Sequence, residues 1–332
     1  MTKPNEFIKL PIKDFSQKKI CDGHLYLSNP TGRKFYLMKP GILIDEEFIK
    51  KYAKTNSVFD FAPLADEKII SEYITLFHEL RYLQFERDLR AKAKEIVTKC
   101  SRAFSSHEHF LNFSLAAFRE FSHLPEEAIL KMHETDMNLF RKAFYSAAFS
   151  IVIALSNDFY HYPILKDFYN LTLGLDFGLC DKSYSYYVAQ ACNQENLFPG
   201  SGLDWLKENK ATKEEIEIYL THPQKSYDFF LLHSDILSHS ELREVALYQH
   251  ELSSGQGFPR GLPKGQVSGW EAIVILADSM VEIQDDYGFE VDVMAHVENL
   301  KTKRTNDLPV GKVYSKFIQA LKHFNELKET GT

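Results

Sequence analysis

Cysteine is scarce in this 332-residue chain: Cys21, Cys100, Cys180 and Cys192 are widely scattered, with no C-x-x-C spacing. This pattern argues against a disulfide framework, and reduced thiols in a cytosolic protein are the simplest reading. No segment of 18 or more apolar residues is present to span a bilayer. Met1 to Lys19 is polar and punctuated by prolines, without the apolar stretch of a secretory signal. Positive charge is also short, with 39 Lys and Arg against 46 Asp and Glu. The net charge of −7 gives no general attraction to nucleic-acid backbones. From these absences we expect a cytoplasmic protein with no membrane span and no nucleic-acid polymer as partner. Internal repeats and low-complexity tracts are missing as well.

What is present has the composition of a globular protein, with 44% hydrophobic and 26% charged residues. Aromatic content is high: 26 Phe and 17 Tyr should fill the cores with rings. A chain of this length is expected to form more than one domain.

The first sixty residues have a mixed α/β texture. Leu25, Leu27, Phe35 and Leu37 flank Asn29-Pro30-Thr31-Gly32, which predicts a β-hairpin. Asp45-Glu46-Glu47 then opens a short helix through Tyr52, with acids in its first turn. Residues 66–102 contain neither Pro nor Gly and carry recurrent apolar positions from Ile69 to Ile96, predicting one long helix or two nearly continuous ones. Helical-period runs follow at 110–121, 126–156, 160–175, 213–221, 224–232, 241–250, 269–283 and 313–327. The fold class expected is α+β overall. It comprises a small N-terminal α/β domain (1–65), a helical connector (66–105) and a C-terminal all-α helical bundle (106–332).

Four blocks in the bundle carry chemistry. The first is Leu171–Gly178, LTLGLDFG, with Asp176 near its end. The second is Thr221-His222-Pro223. The third is Gln249-His250-Glu251, leading into Gly255-Gln256-Gly257-Phe258-Pro259-Arg260-Gly261-Leu262. The fourth is Ala277-Asp278, 29 residues after Gln249. In this order they resemble the HD-GYP domain, a bacterial branch of the HD phosphohydrolases that hydrolyses the second messenger cyclic di-GMP. The family pattern runs L-L-H-D-I-G-K, H-P, H-H-E-x-x-D-G-x-G-Y-P-x-G-L, A-D. The resemblance covers roughly residues 130 to 300, its glycine-rich block being the most specific part.

That resemblance implies a centre of two or three ions, often iron or manganese, in which a bridging carboxylate and acidified water attack phosphate. Carried over position by position, Asp176 matches the bridging aspartate, His222 the H-P histidine, His250 the second histidine of H-H-E, and Asp278 the late aspartate. The chain departs from the pattern elsewhere. Leu175 replaces the H-D histidine, Gln249 the first H-H-E histidine, Leu179 the lysine, Phe258 the tyrosine and Ser254 the aspartate. Lys142 stands about where an upstream helix should supply a histidine, and no His occurs between His133 and His161.

Asp176, His222 and His250 could still hold one divalent transition metal (Fe, Mn or Zn), since three protein ligands suffice for catalytic zinc. With no metal, the two aspartates and two histidines would form a polar cluster that Lys142 could neutralise; the alternative is Lys142 on the helix surface. On the glycine-rich loop, Gly257, Phe258, Arg260 and Lys264 are candidate ligand contacts, the two cations facing a phosphate or merely solvent. His107 and His109 are expected to be solvated, and His233 and His239 to be structural caps. Residues 181–202 form either a lid over the pocket or a locally packed insertion.

Three functions remain. One is a degenerate HD-GYP protein that binds cyclic di-GMP, a related nucleotide or a signalling protein, with phosphodiesterase activity lost or much reduced. Another is an active phosphodiesterase with an unusual, mononuclear centre. The third is an interaction module with a vestigial pocket.

Overall fold

In the computed structural model, residues 7–29, 31–55, 57–103, 106–197, 200–252, 254–262, 267, 269–281 and 311–329 are described. A small antiparallel sheet comes first, from β1 (Ile8–Pro11), β2 (Gly23–Ser28), β3 (Lys34–Met38) and β4 (Val58–Pro63), in the order β1-β4-β2-β3. The expected hairpin is β2–β3, with Leu27 opposite Phe35 and Ser28 opposite Lys34. Its turn is closed by Asn29, whose Oδ1 accepts from the backbone N–H groups of Thr31 (3.1 Å) and Arg33 (2.9 Å). All the pairings are antiparallel, so this unit is α+β rather than the α/β texture read from the sequence.

One sheet face packs under α1 (Ile12–Phe15) and α2 (Glu46–Ala53), giving a core of Phe15, Leu25, Phe59 and Phe61. Asp45 caps α2 by accepting from Phe48 N at 2.6 Å, as acids at that position predict.

The remaining described elements are helical and share a second, larger core. Residues 66–102 form two helices, α3 (Glu67–Tyr82) and α4 (Glu86–Ala103), broken at Leu83, which is extended. Both pack against α5 (His107–Phe121), and α4 also against α7. The run read as 126–156 divides into α6 (Glu126–Thr135) and α7 (Met137–Ser156), because Asp136 turns extended and caps α7 through Asn138 N. By length and composition α7 could cross a bilayer, yet 94% of that apolar window is buried in the protein. It is the central helix of the bundle, running along α8 (Tyr162–Leu173).

Then come α9 (Tyr186–Leu197), α10 (Gly202–Glu208), α11 (Lys213–Leu232), a 3-10 segment (Ser240–Tyr248), α12 (Gly269–Ser279) and α13 (Gly311–Glu329). Two of these differ from the sequence expectation. The run expected at 241–250 is not an α-helix but a 3-10 segment, Ser240–Tyr248, followed by a turn. Helix α11 runs through Pro223, where the sequence suggested two helices. The cost of a proline there is one lost N–H, which leaves the carbonyl four residues earlier without its usual donor. That carbonyl is Tyr219 O, and the imidazole of His222 takes it.

Candidate functional site

Helix α7 brings Lys142 into the core from one side. The end of α8 and the turn after it bring Asp176, while α11 brings His222. His250 follows the 3-10 segment and Asp278 lies near the end of α12. All five are at least nine-tenths buried. Lys142 Nζ lies 2.7 Å from Asp176 Oδ2 and 2.7 Å from Asp278 Oδ1. Burial alone would drive the lysine pKa down, but the fields of Asp176 and Asp278 override it and hold the ammonium above its ordinary range. Of the two placements open to Lys142, the core position is the one adopted.

The imidazoles form a second pair. His222 Nδ1 lies 2.5 Å from Tyr219 O, the carbonyl freed by Pro223. Donation from Nδ1–H leaves Nε2 unprotonated, and that atom is 2.9 Å from His250 Nε2, which must then donate. Burial pushes the pKa of His222 down to about 4. That of His250 falls well below its ordinary value through burial, then the neighbouring His222 and Lys142. Both rings are neutral near pH 7. His222 Nε2 is 4.0 Å from Asp176 Oδ1, so the two pairs touch only loosely.

The ions implied by the HD-GYP resemblance can be tested against this chemistry. A dinuclear centre needs its carboxylates between two cations. Here both carboxylates already face one ammonium, and Leu175, where the pattern has a histidine, is buried among apolar side chains. Among the described residues, no group of three or more His, Cys, Asp or Glu is arranged to hold a metal ion. The residues present do not fit a dinuclear centre. Gln249 is buried with neither amide atom paired among the described residues, and an amide is a poorer metal ligand than the imidazole the pattern has there.

The glycine-rich loop is built on a residue to which the sequence assigned no role. Glu251 is fully buried. Its carboxylate accepts the backbone N–H groups of Arg260 (2.8 Å), Gly261 (3.2 Å) and Leu262 (2.8 Å). Phe258 N donates to His250 O at 3.1 Å, and the Phe258 ring stacks on the His250 ring with centroids 4.6 Å apart. At Gly257 a Cβ would fall 2.4 Å from His250 O and 2.5 Å from Glu251 Cα, so only glycine fits. Gly257 and Phe258, candidates for ligand contact, are thus engaged in holding the loop to the cluster. Arg260 is exposed and donates to Tyr248 OH at 3.1 Å. Lys264 lies outside the described residues.

Gly178 is fixed in the same way, since a Cβ there would meet His222 O at 2.0 Å; its N–H donates to Ser226 Oγ. Of the two alternatives for residues 181–202, the described residues favour local packing, largely through α9. Val188, Ala191 and Cys192 enter the core, and Glu195 accepts from Gly200 N, Gly202 N and Tyr219 OH. His107 was expected in solvent, but its Nε2 is 2.9 Å from Tyr145 OH, and burial lowers its pKa to about 3. His109 is exposed. His239 pairs with the buried Asp167 at 2.6 Å, and His233 ends α11 against Phe229.

No family model matches this chain, and no curated protein does. Among solved structures, the chain is similar to Bd1817, a HDG"Y"P protein from Bdellovibrio bacteriovorus. The TM-score is 0.40 at 13% identity, covering 97% of this chain and 100% of that one. A likeness this loose adds nothing to the reading of the site, which rests on the motifs and the geometry.

Proposed function

We propose that this chain is a degenerate HD-GYP protein of cyclic di-GMP signalling, which acts by binding a nucleotide or a partner protein rather than by hydrolysis. The observation that carries the reading is Lys142, whose ammonium sits 2.7 Å from each of the aspartates that match the family's metal ligands. A fixed monovalent charge can neutralise carboxylates but cannot acidify a bound water, which metal-assisted hydrolysis requires. Support for retained binding comes from the glycine-rich loop, which keeps its shape through Glu251 and leaves Arg260 at the surface.

Purified protein should contain well under about one metal ion per chain after incubation with Fe, Mn or Zn salts. It should show no turnover of cyclic di-GMP above background. Calorimetric titration should detect binding of cyclic di-GMP or a related nucleotide that weakens when Arg260 is replaced by Ala. Stoichiometric metal with turnover would replace this reading with that of a working phosphodiesterase. Absence of any nucleotide binding would leave the partner protein as the ligand.

A further inference from the structure

Two neighbours on α7, Arg141 and Lys142, are the buried Lys and Arg side chains among the described residues, and their surroundings differ. Lys142 meets two carboxylates. Arg141, only 6% exposed, has no carboxylate within ion-pair distance among the described residues. A buried cation is ordinarily paired, because water no longer solvates it. Arg141 has dipoles instead. Its Nε donates to Pro40 O at 2.9 Å, and its guanidinium lies over the Tyr145 ring, 5.3 Å from the centroid. With Nε committed to Pro40, the two terminal nitrogens are the donors left for a bidentate partner.

Pro40 lies between β3 and α2, so this contact crosses the seam between the sheet unit and the bundle. Its turn is seated firmly: Gly41 has φ +84°, and a Cβ there would meet the Tyr145 ring at 2.8 Å. Two histidine–tyrosine pairs flank the charge. On the bundle side His107 Nε2 lies 2.9 Å from Tyr145 OH, and on the sheet side His24 Nδ1 lies 2.8 Å from Tyr36 OH. Burial first, and then the Arg141 charge, keeps the His107 ring neutral; burial raises the Tyr36 phenol, and Arg141 opposes it. A His107 tautomer that donates from Nε2 frees the Tyr145 hydroxyl hydrogen for a ligand. Asp60 stands on the same sheet face, opposite Tyr26, but its carboxylate is already held by Lys9 (2.9 Å), Lys34 (3.7 Å) and Ser28. The rim meets solvent, with Tyr36 44% exposed and His24 and His107 half-buried.

We propose that this seam binds a small oxyanion, the carboxylate or phosphate group of a metabolite, on Arg141. The hydroxyls of Tyr36 and Tyr145 donate to its remaining oxygens, and the anion supplies the counter-charge that the buried guanidinium lacks. Tyr26, whose ring centroid is 5.0 Å from that of Tyr36, extends an aromatic wall for the body of the ligand. Occupancy would brace the sheet unit against α7. The inference does not depend on the nucleotide reading of the Lys142 region.

The test is calorimetry and thermal melting of the full chain with inorganic phosphate, phenyl phosphate and benzoate, at constant ionic strength in chloride. At least one of them should bind at one site per chain and raise the melting temperature. Benzyl alcohol, which has the ring without the charge, should not. Comparison of phenyl phosphate with benzoate distinguishes a phosphate from a carboxylate ligand. Arg141→Met should weaken binding about tenfold or more, the loss expected for a charge-assisted hydrogen bond. Tyr36→Phe and His24→Phe, each taking a hydrogen-bonding group from the rim, should weaken it about threefold or more. Should Arg141→Met lose its fold by circular dichroism, the two rim variants decide. Absence of binding by all three anions at about 10 mM, weaker than any usable affinity, overturns the proposal. So does equal binding of benzyl alcohol, or undiminished binding by both rim variants or by a folded Arg141→Met protein.

Discussion

In the Lys142 cluster, an ammonium, two carboxylates and two imidazoles are buried against one another. In the neighbouring glycine-rich loop, one buried carboxylate, Glu251, gathers three backbone N–H groups. Set against the HD-GYP pattern, the first region differs at several positions that pattern gives to histidine, and the second differs at Ser254 and Phe258. The difference teaches what each residue is for. In the cluster, a lysine supplies the positive charge that two buried carboxylates require. In the loop and beside the cluster, Gly257 against His250 O and Gly178 against His222 O are fixed by backbone packing, which leaves no room for a Cβ.

The largest effect should come from removing the charge that organises the cluster. Lys142→Met leaves Asp176 and Asp278 buried without their cation and should destabilise the protein by about 3–5 kcal/mol in urea unfolding. Combining it with Asp176→Asn and Asp278→Asn removes the stranded charges and should recover much of that loss. A Lys142→Met protein of unchanged stability would show that the ammonium is not what holds the region together.

Next in size is the acid response of the two imidazoles. The folded pKa of His222, about 4, lies below its ordinary value of 6.5, and that of His250 is lowered too. As pH falls, the unfolded chain therefore takes up protons before the folded one does. The stability contributed by neutral His222 is complete above about pH 6.5 and is lost as pH falls toward about 4, amounting to roughly 3 kcal/mol. The Glu251 loop contains no histidine of its own, so protease nicking of the loop should follow global unfolding in this window rather than precede it. Stability that stays level from about pH 7 to 4.5 would contradict buried, neutral rings.

The loop's own clamp ranks third. Glu251→Gln replaces one of two acceptor oxygens by a donor that faces backbone N–H groups, and should cost about 1–3 kcal/mol. Its signature is early proteolysis between Ser254 and Leu262 with little change at the Lys142 cluster. If the cluster loosens equally, as seen in hydrogen exchange of α7, the two regions are one cooperative unit.

Much of this was readable before any coordinates. The β2–β3 hairpin followed from Asn29 to Gly32, and α2 from its acidic first turn, because local hydrogen bonds decide both. The four motif blocks identified Asp176, His222, His250 and Asp278, which the fold does draw into one neighbourhood, and Lys142 could be named as a charge partner from its place on α7. What escaped depended on tertiary context. Pro223 reads as a helix end, and only the capture of Tyr219 O by His222 shows why α11 continues. His107 has an ordinary polar setting in sequence, and its partner Tyr145, 38 residues away, is what draws it half out of solvent. Glu251 was visible in its motif, but three backbone donors nine to eleven residues downstream give no signal of their own. A residue such as Glu195 is hidden for the same reason.

The smallest effect tests the joint between the two regions. Phe258 belongs to the loop, yet its ring lies on His250 at an interplanar angle of 17°. Phe258→Leu keeps an apolar side chain and removes the stacking, which should cost about 0.5–1.5 kcal/mol. Among the described ring contacts Phe258 meets His250, His222 and Tyr219, so coupling to the Lys142 ion pairs would run through the imidazole pair. A double-mutant cycle of Phe258→Leu with Lys142→Met should therefore be additive to within about 0.5 kcal/mol, as expected for sites without a shared partner. A larger coupling energy would mean that the loop senses the charge state of the cluster through the imidazole pair. Loop and cluster would then have to be treated as a single site, with Phe258 as the element that transmits between them.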